Sequence, residues 1–360
     1  MKRFLFAFLA AAQVVAAQDE NYIQSKYDFI PGEKVIFYDE FTTENLGDFP
    51  AAWNTSGSGE IVTMNKFPGR WFQLTKGGYF IPEARESFSE NFTIEFDLIP
   101  RSASGMEYMD GLDLYVLSGT LDDPMEGGAI PGKSGIRVTP TFDAVTWTNY
   151  SEKDGGYKDH GSSSFQFKIN EKYHMAVWVQ KQRIRIYANE SKILDLPRGL
   201  IAGYTYNIFR LQASDEATPA IGNFRIAAGF PDLRNKLLKE GKLVTYGITF
   251  DVNADKLKPE SYATLKEIAD VMKENSTVRL KIVGHTDADG DEGANLELSK
   301  RRALAVKNEM NSRFAIAIER LETEGKGESA PIAPNDTPVN KAKNRRVEFI
   351  NLSGAMPLNK

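Results

Sequence analysis

The sequence contains no cysteine. That excludes disulfides, thiolate metal sites, cysteine nucleophiles and a lipid-modified N-terminal cysteine. Only three histidines occur, His160, His174 and His285, too few for a histidine-rich metal centre. No apolar run reaches the ~20 residues that a helix needs to span a bilayer. Basic residues are outnumbered by acidic ones, 44 to 49, which disfavours nucleic acid as a partner. Tryptophan is missing from residues 241–360, and only five of the 40 aromatic residues lie there.

What is present begins with a leader-like start. Lys2 and Arg3 precede an apolar run over residues 4–12; Gln13 interrupts it before Val14 and Val15, and Ala16-Ala17 supplies small residues for cleavage. This pattern predicts a secretory signal over residues 1–17, cut after Ala17 or Ala16. The net charge then moves from −5 to −7. The expected product is exported, has no transmembrane helix, and is built without disulfides.

The remaining chain divides by composition. Residues 18–240 carry 23 basic and 31 acidic side chains, and residues 241–360 carry 19 and 18. The first part reads as β throughout. Phe92-Thr93-Ile94-Glu95-Phe96-Asp97-Leu98 alternates with period two, as a half-buried strand must. Met175 to Val179 and Arg183 to Tyr187 flank Lys181-Gln182, which predicts a hairpin, and Asn189-Glu190 predicts the next turn. Many short strands with Gly, Pro and Asn breaks predict an antiparallel sandwich. The second part alternates. Strands are expected over residues 243–250, 278–283, 321–325 and 345–352, and helices over 259–274 and 295–314. Residues 231–241 read as a connector containing a short helix.

The densest chemistry lies in Gly284-His285-Thr286-Asp287-Ala288-Asp289-Gly290 and the following Asn295 to Ala303. At ~100° per residue, Leu296, Ser299, Ala303, Val306 and Met310 share one helix face, the expected core. Asn295 and Arg302, seven residues apart, fall on an edge of that face. Gly290 and Gly293 let the chain turn back from the strand, so Asp287 stands near the start of the helix that bears Arg302. A carboxylate and a guanidinium so placed can grip a zwitterion. The plainer reading is an Asp287–Arg302 ion pair, which at a surface contributes only ~0–1 kcal/mol. Arg301, Arg345 and Arg346 read as solvated charges on a helix and an edge strand, and His285 as a packing or loop-positioning residue.

Thr286, Asp287, Gly290, Asn295, Leu298, Ser299, Arg302 and Ala303 meet the pattern Thr-Asp-x-x-Gly…Asn-x-x-Leu-Ser-x-x-Arg-Ala in full. Phe250-Asp251-Val252-Asn253 stands upstream. Gly325-Lys326-Gly327 with Pro331, and Asn344-Arg345-Arg346-Val347-Glu348, stand downstream. Residues 243–352 resemble the OmpA C-terminal, peptidoglycan-binding family. The resemblance implies an α+β fold in which Asp287 takes the ammonium of a diaminopimelate residue in the peptide stem and Arg302 takes one of its carboxylates. Asp251, Asn253, Thr286 and Asn295 are implied secondary contacts. Residues 30–230, through Asp39-Glu40-Phe41, Gly47-Asp48-Phe49-Pro50, Trp53 and the stretch 180–196, resemble concanavalin-like (laminin-G-like) jelly-roll domains.

Three other signals fail on context. Gly127 to Ser134 matches the P-loop letter for letter, but that chemistry needs a following helix, and Gly135-Ile136-Arg137-Val138 reads as a strand. Glu95 and Asp97 in a concanavalin-like frame suggest a glycoside hydrolase, yet the second catalytic carboxylate is missing where Ile99 and Pro100 stand; outward-facing strand charges are the expectation. Acidic loops at Asp122-Asp123 and Asp154 to Asp159 offer oxygen ligands for calcium but no EF-hand spacing.

The expected chain is multidomain, an all-β jelly-roll sandwich followed by an α+β OmpA-like domain. Residues 1–17 are the signal, 18–230 the sandwich, 231–242 a linker, 243–352 the OmpA-like domain and 353–360 a tail. The expected function is non-covalent peptidoglycan binding in the periplasm, associated with the outer membrane, with no enzyme activity and no cofactor. The sandwich is expected to bind a glycan or an envelope protein. The alternatives are a glycan-processing enzyme tethered to the wall and a structural adaptor for an outer-membrane complex.

Overall fold

The computed structural model describes residues 27–354 apart from 87, 104, 106 and 252. The expected signal lies outside the described residues, as do residues 355–360 of the expected tail. In the first part, two antiparallel sheets face each other. One runs Ser191–Leu196, Arg183–Ala188, Tyr173–Gln180, Asn91–Ile99, Ala220–Ala228, Arg70–Lys76 and Ser58–Thr63, with Lys34–Asp39 also paired to Ala220–Ala228. The other runs Gly156–Ser163, Val145–Ser151, Ser134–Pro140, Leu112–Ser118, Ile208–Ala213, Gly78–Pro82 and Trp53–Thr55. Phe92, Ile94, Phe96 and Leu98 point between the sheets and join Ile136, Phe209 and Phe224 in one core. Lys181 and Asn189 turn the two predicted hairpins at positive φ, 55° and 53°. The Gly-rich stretch before Ser134 leads into a strand, so no helix follows to face a phosphate.

In the second part, a four-stranded sheet runs Lys242–Thr245, Val347–Asn351, Leu280–His285 and Leu321–Gly327. The last two strands are parallel, and the helix Glu292–Ser312 makes the crossover between them. With Ser261–Glu274 it buries one face of the sheet: Leu265, Ile268, Met272, Ala303, Val306 and Met310 pack on Leu280, Ile282 and Phe349. The strand expected over 243–250 is confined to Lys242–Thr245; the chain turns directly after it, with Gly247 N donating to Thr245 Oγ1 at 3.0 Å. The expected last strand begins only at Val347. Before it stands an unexpected helix, Pro338–Asn344, capped by Thr337, whose Oγ1 accepts from Asn340 N at 3.2 Å. No helix among the described residues is long and apolar enough to cross a membrane.

The outer face of the first sheet is covered. Gly32 N donates to Thr93 Oγ1 at 2.9 Å, and Ile30 is buried in the core of the second part with Leu233 and Leu237. Arg225 donates to Tyr246 O at 3.3 Å, and helix Pro338–Asn344 packs on strand Lys34–Asp39. Glu95 and Asp97 are therefore not the outward-facing charges expected from alternation; both are buried. Glu95 is paired with Arg225. Asp97 accepts from Asn223 at 2.9 Å and faces His174 at 3.2 Å and Lys172 at 3.5 Å. Five charged groups, Glu95, Asp97, Arg225, His174 and Lys172, offset one another here, and the two carboxylates are buried among them.

Candidate ligand site at the start of the crossover helix

The loop after strand Leu280–His285 is fixed at both ends. His285 N donates to Arg346 O at 3.0 Å and Thr286 N to Gly327 O at 2.9 Å. Gly290 turns the chain at φ +99°. Asp291 then caps the helix, accepting from Ala294 N at 2.8 Å, so the helix begins at Glu292, three residues before the predicted start. The helix sits almost on the strands: a Cβ on Gly284 would lie 2.4 Å from Ser299 O, and one on Gly325 would lie 2.5 Å from Lys300 N. Ser299 locks the contact by accepting from Gly327 N at 2.9 Å and donating to Leu296 O at 2.8 Å. Ser299, Ala303, Val306 and Met310 are buried as projected. Leu296 is not: it is among the exposed apolar side chains, and Asn295 takes the buried position. The face begins one residue earlier because Leu296 presents its backbone to Gly327.

Asp287 is 7% exposed. Its Oδ1 accepts from Asp289 N at 3.2 Å, and its Oδ2 accepts from Arg345 Nη1. Asn295 ties the loop together, donating to Asp289 O at 3.0 Å and Glu328 Oε2 at 2.7 Å, with Asp287 O at 3.4 Å. The Thr286 hydroxyl is buried with no hydrogen-bond partner among the described residues.

Arg302 does not pair with Asp287. Its Nε donates to Ala254 O at 2.9 Å, its Nη2 reaches Asp251 O at 3.5 Å, and its guanidinium lies 4.9 Å over the Phe250 ring. Burial pushes its pKa below the ordinary arginine value, with Arg301 and Arg345 acting in the same direction and Asp287 and Asp255 against it. Asp251 and Asn253 belong to the turn that supplies those carbonyls. The Asp251 carboxylate faces Lys256 at 3.8 Å, and Asn253 is exposed at φ 53°. The predicted residues thus fall into two groups: Thr286, Asp287 and Asn295 share the loop, and Arg302 docks on the carbonyls of the turn that holds Asp251 and Asn253.

Sequence reasoning missed Arg345. It is not the solvated charge that its pattern predicts: it holds Asp287, lies 3.5 Å from Glu40 and stacks 4.9 Å over Tyr38. Arg346 is also buried, donating to Glu348 Oε1 at 2.9 Å and Ala330 O at 3.0 Å. The available signal was the doubled arginine directly after Asn344, whose buried amide ties down the loop at Ile332 and Ala333. Arg301 is exposed as expected. His285 is buried with its Nε2 3.6 Å from Glu348, in keeping with a packing role.

The sandwich carries a separate open groove of about 390 Å³. Arg137, Thr139, Thr146, Thr148, His160 and Ser162 line it, with Trp147 alongside. Thr148 opposes His160 and Thr146 opposes Ser162 across two strands.

Residues 249–345 match the OmpA family, and this stretch is an OmpA family domain. Outer membrane porin F of Pseudomonas aeruginosa is 39% identical over 105 residues, 29% of this chain and 30% of that protein. The peptidoglycan-binding protein ArfA of Mycobacterium tuberculosis is 40% identical over 103 residues, 29% of this chain and 31% of that protein. The matched stretch thus spans less than a third of either relative. A carbohydrate-binding module from Bacillus subtilis is similar in structure at a TM-score of 0.34 and 17% identity, covering 49% of this chain and 96% of that one.

Proposed function

We propose that the chain is an exported envelope protein that binds peptidoglycan non-covalently through residues 243–352. In this reading Asp287 receives the ammonium of a diaminopimelate side chain and Arg302 its carboxylate, while Thr286, Asn295, Asp251 and Asn253 surround them. The observation that carries the reading is Arg302. It is a largely buried guanidinium with carbonyl oxygens and a ring as partners and no ion pair among the described residues. Such a cation is better satisfied by an incoming carboxylate. The unpartnered Thr286 hydroxyl supports a ligand at the same place, and so does the likeness to a protein named for peptidoglycan binding. Residues 1–17 are the export signal, and the product stays in the periplasm, associated with the outer membrane through its partners.

The sandwich, read as a concanavalin-like jelly roll over residues 18–230, binds a glycan. Support comes from the groove, whose threonine and serine hydroxyls, imidazole and guanidinium suit sugar hydroxyls. Catalysis is not part of the reading, since Glu95 and Asp97 are consumed by Arg225, Asn223, His174 and Lys172. The test is calorimetric titration of the full chain with two soluble stem peptides, one carrying diaminopimelate and one carrying lysine. Lysine lacks the second carboxylate, so it should bind at least tenfold more weakly. Equal affinities would remove Arg302 from the site.

A further inference from the structure

We propose that the ligand site is completed by the sandwich, whose Glu40 converts a neutral Asp287–Arg345 pair into a cluster with a net negative charge able to accept an ammonium. The inference rests on the reading of Asp287 given above. Arg345 stands between two carboxylates, donating to Asp287 through Nη1 while its Nη2 lies 3.5 Å from Glu40 Oε2. Glu40 is itself held. Tyr38 donates its hydroxyl to Oε2 at 3.1 Å, Thr42 donates to Oε1 at 3.3 Å, and the Tyr38 ring lies 4.9 Å from the guanidinium centre. Burial raises the Tyr38 pKa, so at neutral pH the phenol is a neutral donor.

Charge counting shows what Glu40 adds. Asp287 and Arg345 alone cancel, and an ammonium arriving at a cancelled pair gains little. With Glu40 the three groups sum to −1. On the other side of the site, Arg302 contributes +1, so the two halves match a zwitterion. Arg345 Nη2 is buried without a hydrogen bond, and that unused donor faces Glu40. When a ligand ammonium takes the Asp287 carboxylate, the guanidinium has a second carboxylate and an aromatic face already in contact. Glu40 is a positioning residue that acts through Arg345, and its domain thereby sets the affinity of its neighbour's site.

The experiment is a double-mutant cycle on the full chain, with affinity for the diaminopimelate stem peptide measured by calorimetry. Glu40→Gln keeps the shape and should weaken binding tenfold or more. In an Arg345→Met background the same change should alter affinity less than threefold, because no guanidinium remains for Glu40 to balance. Glu40→Gln binding like wild type, or weakening binding equally in both backgrounds, would overturn the proposal. Asp287→Ala runs in parallel. If it binds like wild type, the assignment of Asp287 fails; if it does not bind while Glu40→Gln binds as tightly as wild type, only the role of Glu40 fails.

Discussion

The Asp287 carboxylate is held by Arg345, 58 residues downstream, and not by Arg302 on the adjoining helix. The acid and the base picked out by spacing are therefore kept apart, each with a partner that a ligand group can replace or supplement. Burial works against the charge on Arg345, but Tyr38, Glu40 and Asp287 outweigh it and hold its pKa above the ordinary arginine value.

Arg345→Ala should lower the stability of the folded chain. It leaves Asp287 buried without its cation, and breaking a buried pair by removing one partner costs about 3–5 kcal/mol. The residual exposure of Arg345, 26% for its side chain, places the expected loss near the lower end. Urea unfolding measures it, and a loss below ~1 kcal/mol would mean that the pair is as weak as a surface one.

The covered cluster beneath the second part gives a larger effect. Glu95→Ala strands Arg225, which is 9% exposed, and should destabilise by about 3–5 kcal/mol. Glu95→Ala and Arg225→Met together should cost less than Glu95→Ala alone, since no unpaired charge remains. Unfolding of the three variants checks the order.

His174 makes that cluster pH-sensitive. Burial opposes its charge, but Asp97 and Glu95 outweigh burial and push its pKa from 6.5 up to about 10, with Glu260 adding to them. The folded pKa lies above the unfolded one, so the protonated ring stabilises the fold fully below pH 6.5. That contribution is lost as pH rises through about 10. Thermal unfolding between pH 6.5 and 10 should show a falling Tm, and His174→Gln should flatten the fall. An unchanged slope in the variant would remove His174 from the cause.

Much of this was legible in the sequence. The period-two run from Phe92 to Leu98 gave the strand and its core face, and the 3.6-residue period gave Ser299, Ala303, Val306 and Met310. What alternation could not give was the fate of the opposite face, because Thr93, Glu95 and Asp97 are covered by chain distant in sequence. Leu296 was misplaced for a similar reason: the close approach of Gly327 to its backbone shifts the buried edge to Asn295. Helix Pro338–Asn344 is short, and its Thr337-Pro338 start was its main cue. The partnership of Arg345 with Glu40 crosses from one part of the chain to the other, which local pattern does not record.

Gly284→Ala should test how the site is positioned. The added Cβ would meet Ser299 O at 2.4 Å, so the helix must move. Overpacking of this kind costs about 1–3 kcal/mol, and displacement of Arg302 and Asn295 should weaken ligand binding while the second part stays folded. Circular dichroism melts and peptide titration report the two effects separately. Unchanged affinity would show that helix placement is not what brings the two charges together.

The central claim, a zwitterion grip on the cell wall, is tested most directly by sedimentation of the full chain with purified diaminopimelate-containing sacculi. Wild type should pellet with the sacculi. Asp287→Ala and Arg302→Ala, each confirmed as folded, should remain in the supernatant. If both folded variants still pellet with the sacculi, Asp287 and Arg302 are not the ligand-binding pair.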